Sequence, residues 1–122
     1  MSIDATTAPR LIASDIDGTL LDRNHRVPIR NREAVARAVA SGAEFALATG
    51  RPFRWIMPVL EQLTVRPVCV TSNGAVLYDA AADRVLSAHE LSPAALTEVV
   101  DVATTVLQPL GGVGFGSERA GG

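Results

Sequence analysis

Short apolar runs that stop at polar, glycine-containing turns recur along the front of this chain, and the recurrence predicts most of its architecture. Arg10 to Ser14 stops at Asp15, Glu44 to Ala48 stops at Thr49-Gly50, and Val68 to Thr71 stops at Ser72-Asn73-Gly74. Runs of this length, bounded by turn residues, suit central strands of a parallel sheet. Between the first two, Ala34, Val35, Ala38 and Val39 recur at three-and-four spacing while Arg30, Arg32, Glu33 and Arg37 take the other face. That pattern predicts a helix opened by Pro28 and ended by Gly42. Strand, helix, strand is a βαβ unit, so the fold class is α/β with a parallel sheet.

Further along, Phe53 to Leu63 is apolar but interrupted by Pro58, which predicts one kinked helix or two short ones with Phe53, Trp55 and Ile56 as packing residues. Residues 75–79 and 84–87 form a hairpin pair. Ser92 caps and Pro93 starts a last helix, in which Leu96, Val99, Val100, Ala103 and Leu107 mark a buried stripe. Gly111 to Gly116 lacks the spacing of a dinucleotide fingerprint and is expected to begin another strand. Met1 to Pro9 is a polar lead-in.

The chemistry sits at the strand ends, where open α/β sheets bind their ligands. Asp15 and Asp17 lie two apart, so an extended backbone turns both to one side. Two adjacent carboxylates need a cation or a shared proton, which suits a divalent metal with a carboxylate nucleophile, or acid–base work. Gly18 permits a tight turn, and Thr19 can brace it with its hydroxyl. Thr49 ends the next strand, where its hydroxyl and the amides about Gly50 can hold an oxyanion, aided by the dipole of a helix opening at Pro52. Arg51 adds a positive charge suited to an anionic substrate or to a surface ion pair. Asn73-Gly74, taken alone, signals only a turn.

Composition narrows the partners. At 122 residues, 48% hydrophobic and net charge −2, this is at most one ordinary domain. The 11 basic residues are all arginine and scattered, so no stripe faces nucleic acid. No run approaches a membrane span. His25 and His89 have no ligand-spaced neighbours, and the single Cys69 fits an apolar core, as expected of a protein in the reducing cytoplasm.

The run Asp15-Ile16-Asp17-Gly18-Thr19-Leu20-Leu21-Asp22 resembles the first motif of the haloacid dehalogenase-like (HAD) hydrolases, in particular their Cof-type phosphatases. Ala48-Thr49-Gly50-Arg51-Pro52 resembles their second motif, and Asn73-Gly74-Ala75 a further active-site segment. The resemblance implies a Rossmann-like, doubly wound sheet with an inserted α+β cap, and a Mg2+-dependent phosphatase of small phosphorylated metabolites such as sugar phosphates. It implies Asp15 as the nucleophile that becomes an aspartyl-phosphate, Asp17 as the acid–base, and Asp15 with the Asp17 carbonyl on the metal. Thr49, Gly50, Arg51 and Asn73 would line the phosphate site. The family's later motifs, a lysine or arginine and then an acidic pair, find no match: the chain has no lysine, and beyond Asp101 only Glu118 is acidic. The expected organisation is therefore the front of a core over residues 1–88 and the start of a cap over 89–122, a fragment that could associate through an uncovered sheet edge. A phosphomutase would share the same residues. A response-regulator receiver domain would not carry this Asp-x-Asp-Gly-Thr run, and a remnant that only binds phosphate or a partner is the non-catalytic alternative.

Overall fold

The computed structural model describes residues 8–120. Most of the expected polar lead-in, residues 1–7, lies outside them. The chain divides into two compact units, Met1–Ala88 and His89–Gly122.

The first unit is a five-stranded sheet in the order β1 (Leu11–Ser14), β2 (Glu44–Ala48), β3 (Val68–Thr71), β4 (Val76–Asp79) and β5 (Arg84–Ala88). The first three strands are parallel, in a register that sets Ser14 beside Leu47 and Ala48 beside Val70. The carboxyl ends of all three therefore meet at one edge of the sheet. Strands β4 and β5 complete the sheet as an antiparallel hairpin. This is the expected α/β, Rossmann-like arrangement. Helix α1 (Ile29–Ala40) links β1 to β2, preceded by Pro28 and followed by Gly42 in the left-handed region at φ +98°.

Burial alternates along the strands. Phe45 and Leu47 of β2, Cys69 and Thr71 of β3, and Val76 and Tyr78 of β4 are buried on one face. Ile16, Leu20, Leu21, Val27, Ile56, Val59, Leu60 and Leu63 join Phe45, Leu47, Cys69 and Tyr78 in a single core with Val35 of α1. The opposite face is less well covered: Leu11 and Val68 are exposed, while Ala46, Val70 and Leu77 are half-buried.

The segment after β2 takes the second of its two expected forms, two short helical pieces: a 3₁₀ turn, Phe53–Trp55, followed by the single-turn helix α2 (Met57–Leu60), in which Pro58 occupies the first turn. Four other expectations change. With only one short turn after Pro52, there is little helix dipole to aim at a ligand. Phe53 and Ile56 do pack, Phe53 against Tyr78 with ring centroids 5.3 Å apart, but Trp55 is 66% exposed. In the second unit, helix α3 (Pro93–Leu107) is capped as expected by Ser92, whose hydroxyl accepts from the Ala95 amide at 3.1 Å, yet it buries no residue: Leu96, Val99 and Val100 are exposed. Among the described residues no strand forms over residues 111–116.

Candidate active site

The backbone after β1 explains why Asp-x-Asp-Gly-Thr is needed there. Asp15 continues the strand in extended geometry (φ −68°, ψ 160°). Asp17 (φ −73°, ψ 125°) and Gly18 (φ 75°, ψ 1°) then adopt the central angles of a type II turn, whose second central position requires the positive φ that glycine tolerates. Ile16 is fully buried beneath the turn, and its carbonyl accepts from the Leu21 amide at 3.0 Å. The turn is thus pinned at its buried residue while Asp15 and Asp17 on either side of it stay exposed. The Thr19 hydroxyl reaches the Asp15 carboxylate only at 3.4 Å, a weak brace.

The loops after β2 and β3 are joined to each other. The Ser72 amide donates to the Arg51 carbonyl at 2.9 Å, and the Asn73 amide to the Thr49 carbonyl at 3.2 Å. Ser72 and Asn73 both take positive φ, 50° and 54°, a conformation that costs energy for residues with a Cβ. The Thr49 hydroxyl accepts from the Arg51 amide at 3.0 Å, which leaves its own proton free to donate. Gly50 lies directly under the Asn73 carboxamide, close enough that a Cβ there would stand 2.8 Å from Asn73 Oδ1.

A pocket of about 360 Å3 opens at this edge, lined by Asp15, Ala48, Thr49, Gly50, Val70, Asn73 and Gly74. The structure thus brings together four residues that the sequence singles out: Asp15, Thr49, Gly50 and Asn73. Asp17 and Arg51 are not in the lining. They are paired with each other: Arg51 Nε donates to Asp17 Oδ2 at 2.8 Å and Nη2 to Oδ1 at 2.6 Å, while Nη1 donates to the Trp55 carbonyl at 3.2 Å. Of the two roles open to Arg51, an ion pair is the one seen. The guanidinium holds the Asp17 carboxyl below its ordinary pKa, and the carboxylate in turn raises that of Arg51. No signal in the sequence pairs these residues, which are 34 positions apart.

Among the described residues no three His, Cys, Asp or Glu side chains cluster as a metal site. Asp15 and Asp17 do offer oxygen donors of the type magnesium takes, and magnesium commonly binds one or two carboxylates and completes its shell with water and substrate phosphate. The donor chemistry fits.

The sequence profile of the haloacid dehalogenase-like hydrolases matches residues 12–109, most of the chain. The chain belongs to this family. Two curated relatives agree with that membership. The phosphatase YwpJ of Bacillus subtilis is 39% identical over 70 residues, which are 57% of this chain and 25% of that protein. The pyridoxal phosphate phosphatase YbhA of Escherichia coli is 37% identical over 82 residues, 67% of this chain and 30% of that protein. A solved haloacid dehalogenase-like hydrolase from B. subtilis superposes with a TM-score of 0.70 at 29% identity, over 80% of this chain and 34% of its own. The chain thus spans about a quarter to a third of the length of these relatives.

Proposed function

We propose that this chain carries the nucleophile and phosphate-binding part of a phosphomonoester hydrolase of the Cof type, acting on small phosphorylated metabolites in the cytoplasm. The reading rests on one observation: Asp15, Thr49, Gly50 and Asn73, drawn from the ends of three parallel strands, line a single pocket large enough for a phosphate group. Family membership and the phosphatase relatives support the same reaction class.

An Asp15 oxygen attacks phosphorus, the bond from phosphorus to the substrate oxygen breaks, and that oxygen leaves with a proton from Asp17. A water then attacks the aspartyl-phosphate, gives its proton to Asp17 and releases phosphate, regenerating the Asp15 carboxylate. Thr49, whose hydroxyl proton is free, donates to a phosphoryl oxygen, and the Gly50 amide and Asn73 side chain hold the others. Magnesium, held by the Asp15 carboxylate and the Asp17 carbonyl, would supply positive charge to the transferring phosphoryl group. Residues 89–122 form the opening of an inserted cap under this reading, and the edge of β1, which among the described residues pairs only with β2, is where further polypeptide would add.

The test is phosphorylation by acetyl phosphate with magnesium, followed by mass spectrometry of peptides. An adduct confined to Asp15 and absent from Asp15→Asn is expected. An adduct that persists in Asp15→Asn would sink the assignment. Phosphorylation without turnover of p-nitrophenyl phosphate would place the chain with the non-catalytic alternatives.

A further inference from the structure

Arg51 touches every loop that carries a candidate site residue. Its amide donates to the Thr49 hydroxyl at 3.0 Å, and its carbonyl accepts from the Ser72 amide at 2.9 Å, next to Asn73. Its side chain forks the Asp17 carboxylate and donates its remaining arm to the Trp55 carbonyl. Three side-chain bonds in the plane of the guanidinium leave it one orientation, and a bidentate pair passes that orientation to the carboxylate. Arg51 is the less exposed partner, with its side chain at 24% against 54% for Asp17, so the arginine is the anchor and the carboxylate the part presented to solvent. Yet Arg51 is absent from the lining of the pocket that holds Asp15.

We infer that Arg51 is a positioning residue rather than an anion ligand: it locks the Asp17 carboxylate beside the pocket and ties that carboxylate to the Thr49 and Ser72–Asn73 loops. This deepens the phosphatase reading and rests on it for the role of Asp17. A carboxylate has about four lone-pair sites, and the fork takes two. The half-exposed carboxylate keeps acceptor capacity with which to take a proton from the hydrolytic water. Lysine would supply the charge but not the planar fork.

The experiment titrates inorganic phosphate into the isotope-labelled 122-residue chain, as wild type, Arg51→Gln, Arg51→Lys and Asp17→Asn, followed by NMR. Positioning predicts that the wild-type Arg51 Nε–H signal is protected from exchange, loses that protection in Asp17→Asn, and does not move as phosphate shifts the Thr49, Gly50 and Asn73 amides. Phosphate affinity should change less than about threefold in Arg51→Gln. The Asp17 side-chain carboxyl signal should become motionally averaged in both Arg51 variants, because lysine cannot rebuild the fork. A tenfold or greater loss of phosphate affinity in Arg51→Gln that Arg51→Lys restores would overturn the inference and make Arg51 an anion ligand. An unprotected wild-type Nε–H would also overturn it. If the wild-type chain shows no response to phosphate, the pocket reading falls instead, and the Nε–H signal with its loss in Asp17→Asn still decides the fork.

Discussion

Replacing Gly50 by alanine perturbs the candidate site without attacking the fold. The added Cβ would stand 2.8 Å from Asn73 Oδ1, 3.5 Å from Cγ and 3.6 Å from Nδ2, whereas ordinary contact begins at 3.4 Å. The carboxamide must therefore retreat by about 0.6 Å, the difference between 2.8 and 3.4 Å. Asn73 is exposed, so it can swing aside at a cost of about 0.5–1.5 kcal/mol. Gly50 is not among the residues with positive φ, so alanine adds no backbone strain and recovers about 0.4–1 kcal/mol by restricting the unfolded chain. The two effects nearly cancel, and the melting temperature should move by only a few degrees. Binding should respond more strongly. Losing one hydrogen bond to a charged oxyanion costs about 1.5–3 kcal/mol, or roughly 10- to 150-fold in phosphate affinity. Calorimetric titration with inorganic phosphate measures that loss, and the Asn73 side-chain amide resonances report the displacement. In an Asn73→Ala background the Gly50→Ala change should add almost nothing. If Gly50→Ala weakened binding as much in that background as in the native one, or left the Asn73 resonances in place, the steric argument would be wrong.

Three other outcomes follow from the same geometry. The single tyrosine, Tyr78, is buried and donates to Asp83 at 2.5 Å, a bond that together with burial raises its pKa to about 12; tyrosinate absorbance should rise only near that pH, and Asp83→Asn should bring it down toward 10. Because that pKa is raised, its stabilisation is complete below about pH 10 and is lost as pH climbs toward 12. The Asp17 pKa is depressed by Arg51, so the fork's contribution is present above the ordinary 3.8 and is lost as pH falls below it; solvent screening keeps it under about 1 kcal/mol, and the difference in melting temperature between wild type and Asp17→Asn should vanish in acid and shrink with salt. Leu47→Ala, at a fully buried position in β2, should cost about 2–5 kcal/mol in urea unfolding, and a loss under 1 kcal/mol would mean that the core is not packed as described.

The sequence by itself determined the local elements. Apolar runs ending at Asp15, Thr49 and Ser72 became β1, β2 and β3, because strand length and the turn residues that stop a strand are properties of a few neighbouring positions. Gly18 announced its turn, Ser92 its cap and Asn73-Gly74 a turn for the same reason. What lies across from a side chain is not a local property, and there the tertiary structure decided. The stripe on α3 has the period of a buried face but is exposed, and Trp55 has the composition of a core residue but projects to solvent. The apolar strands are covered well on one face only. Arg51 had the charge for an ion pair, and only the juxtaposition of two loops 34 residues apart gave it Asp17 as the partner. Periodicity tells which positions can be buried and charge tells which can pair. The partner is chosen by the folded chain, because proximity between distant segments exists only after the sheet has brought their ends to one edge.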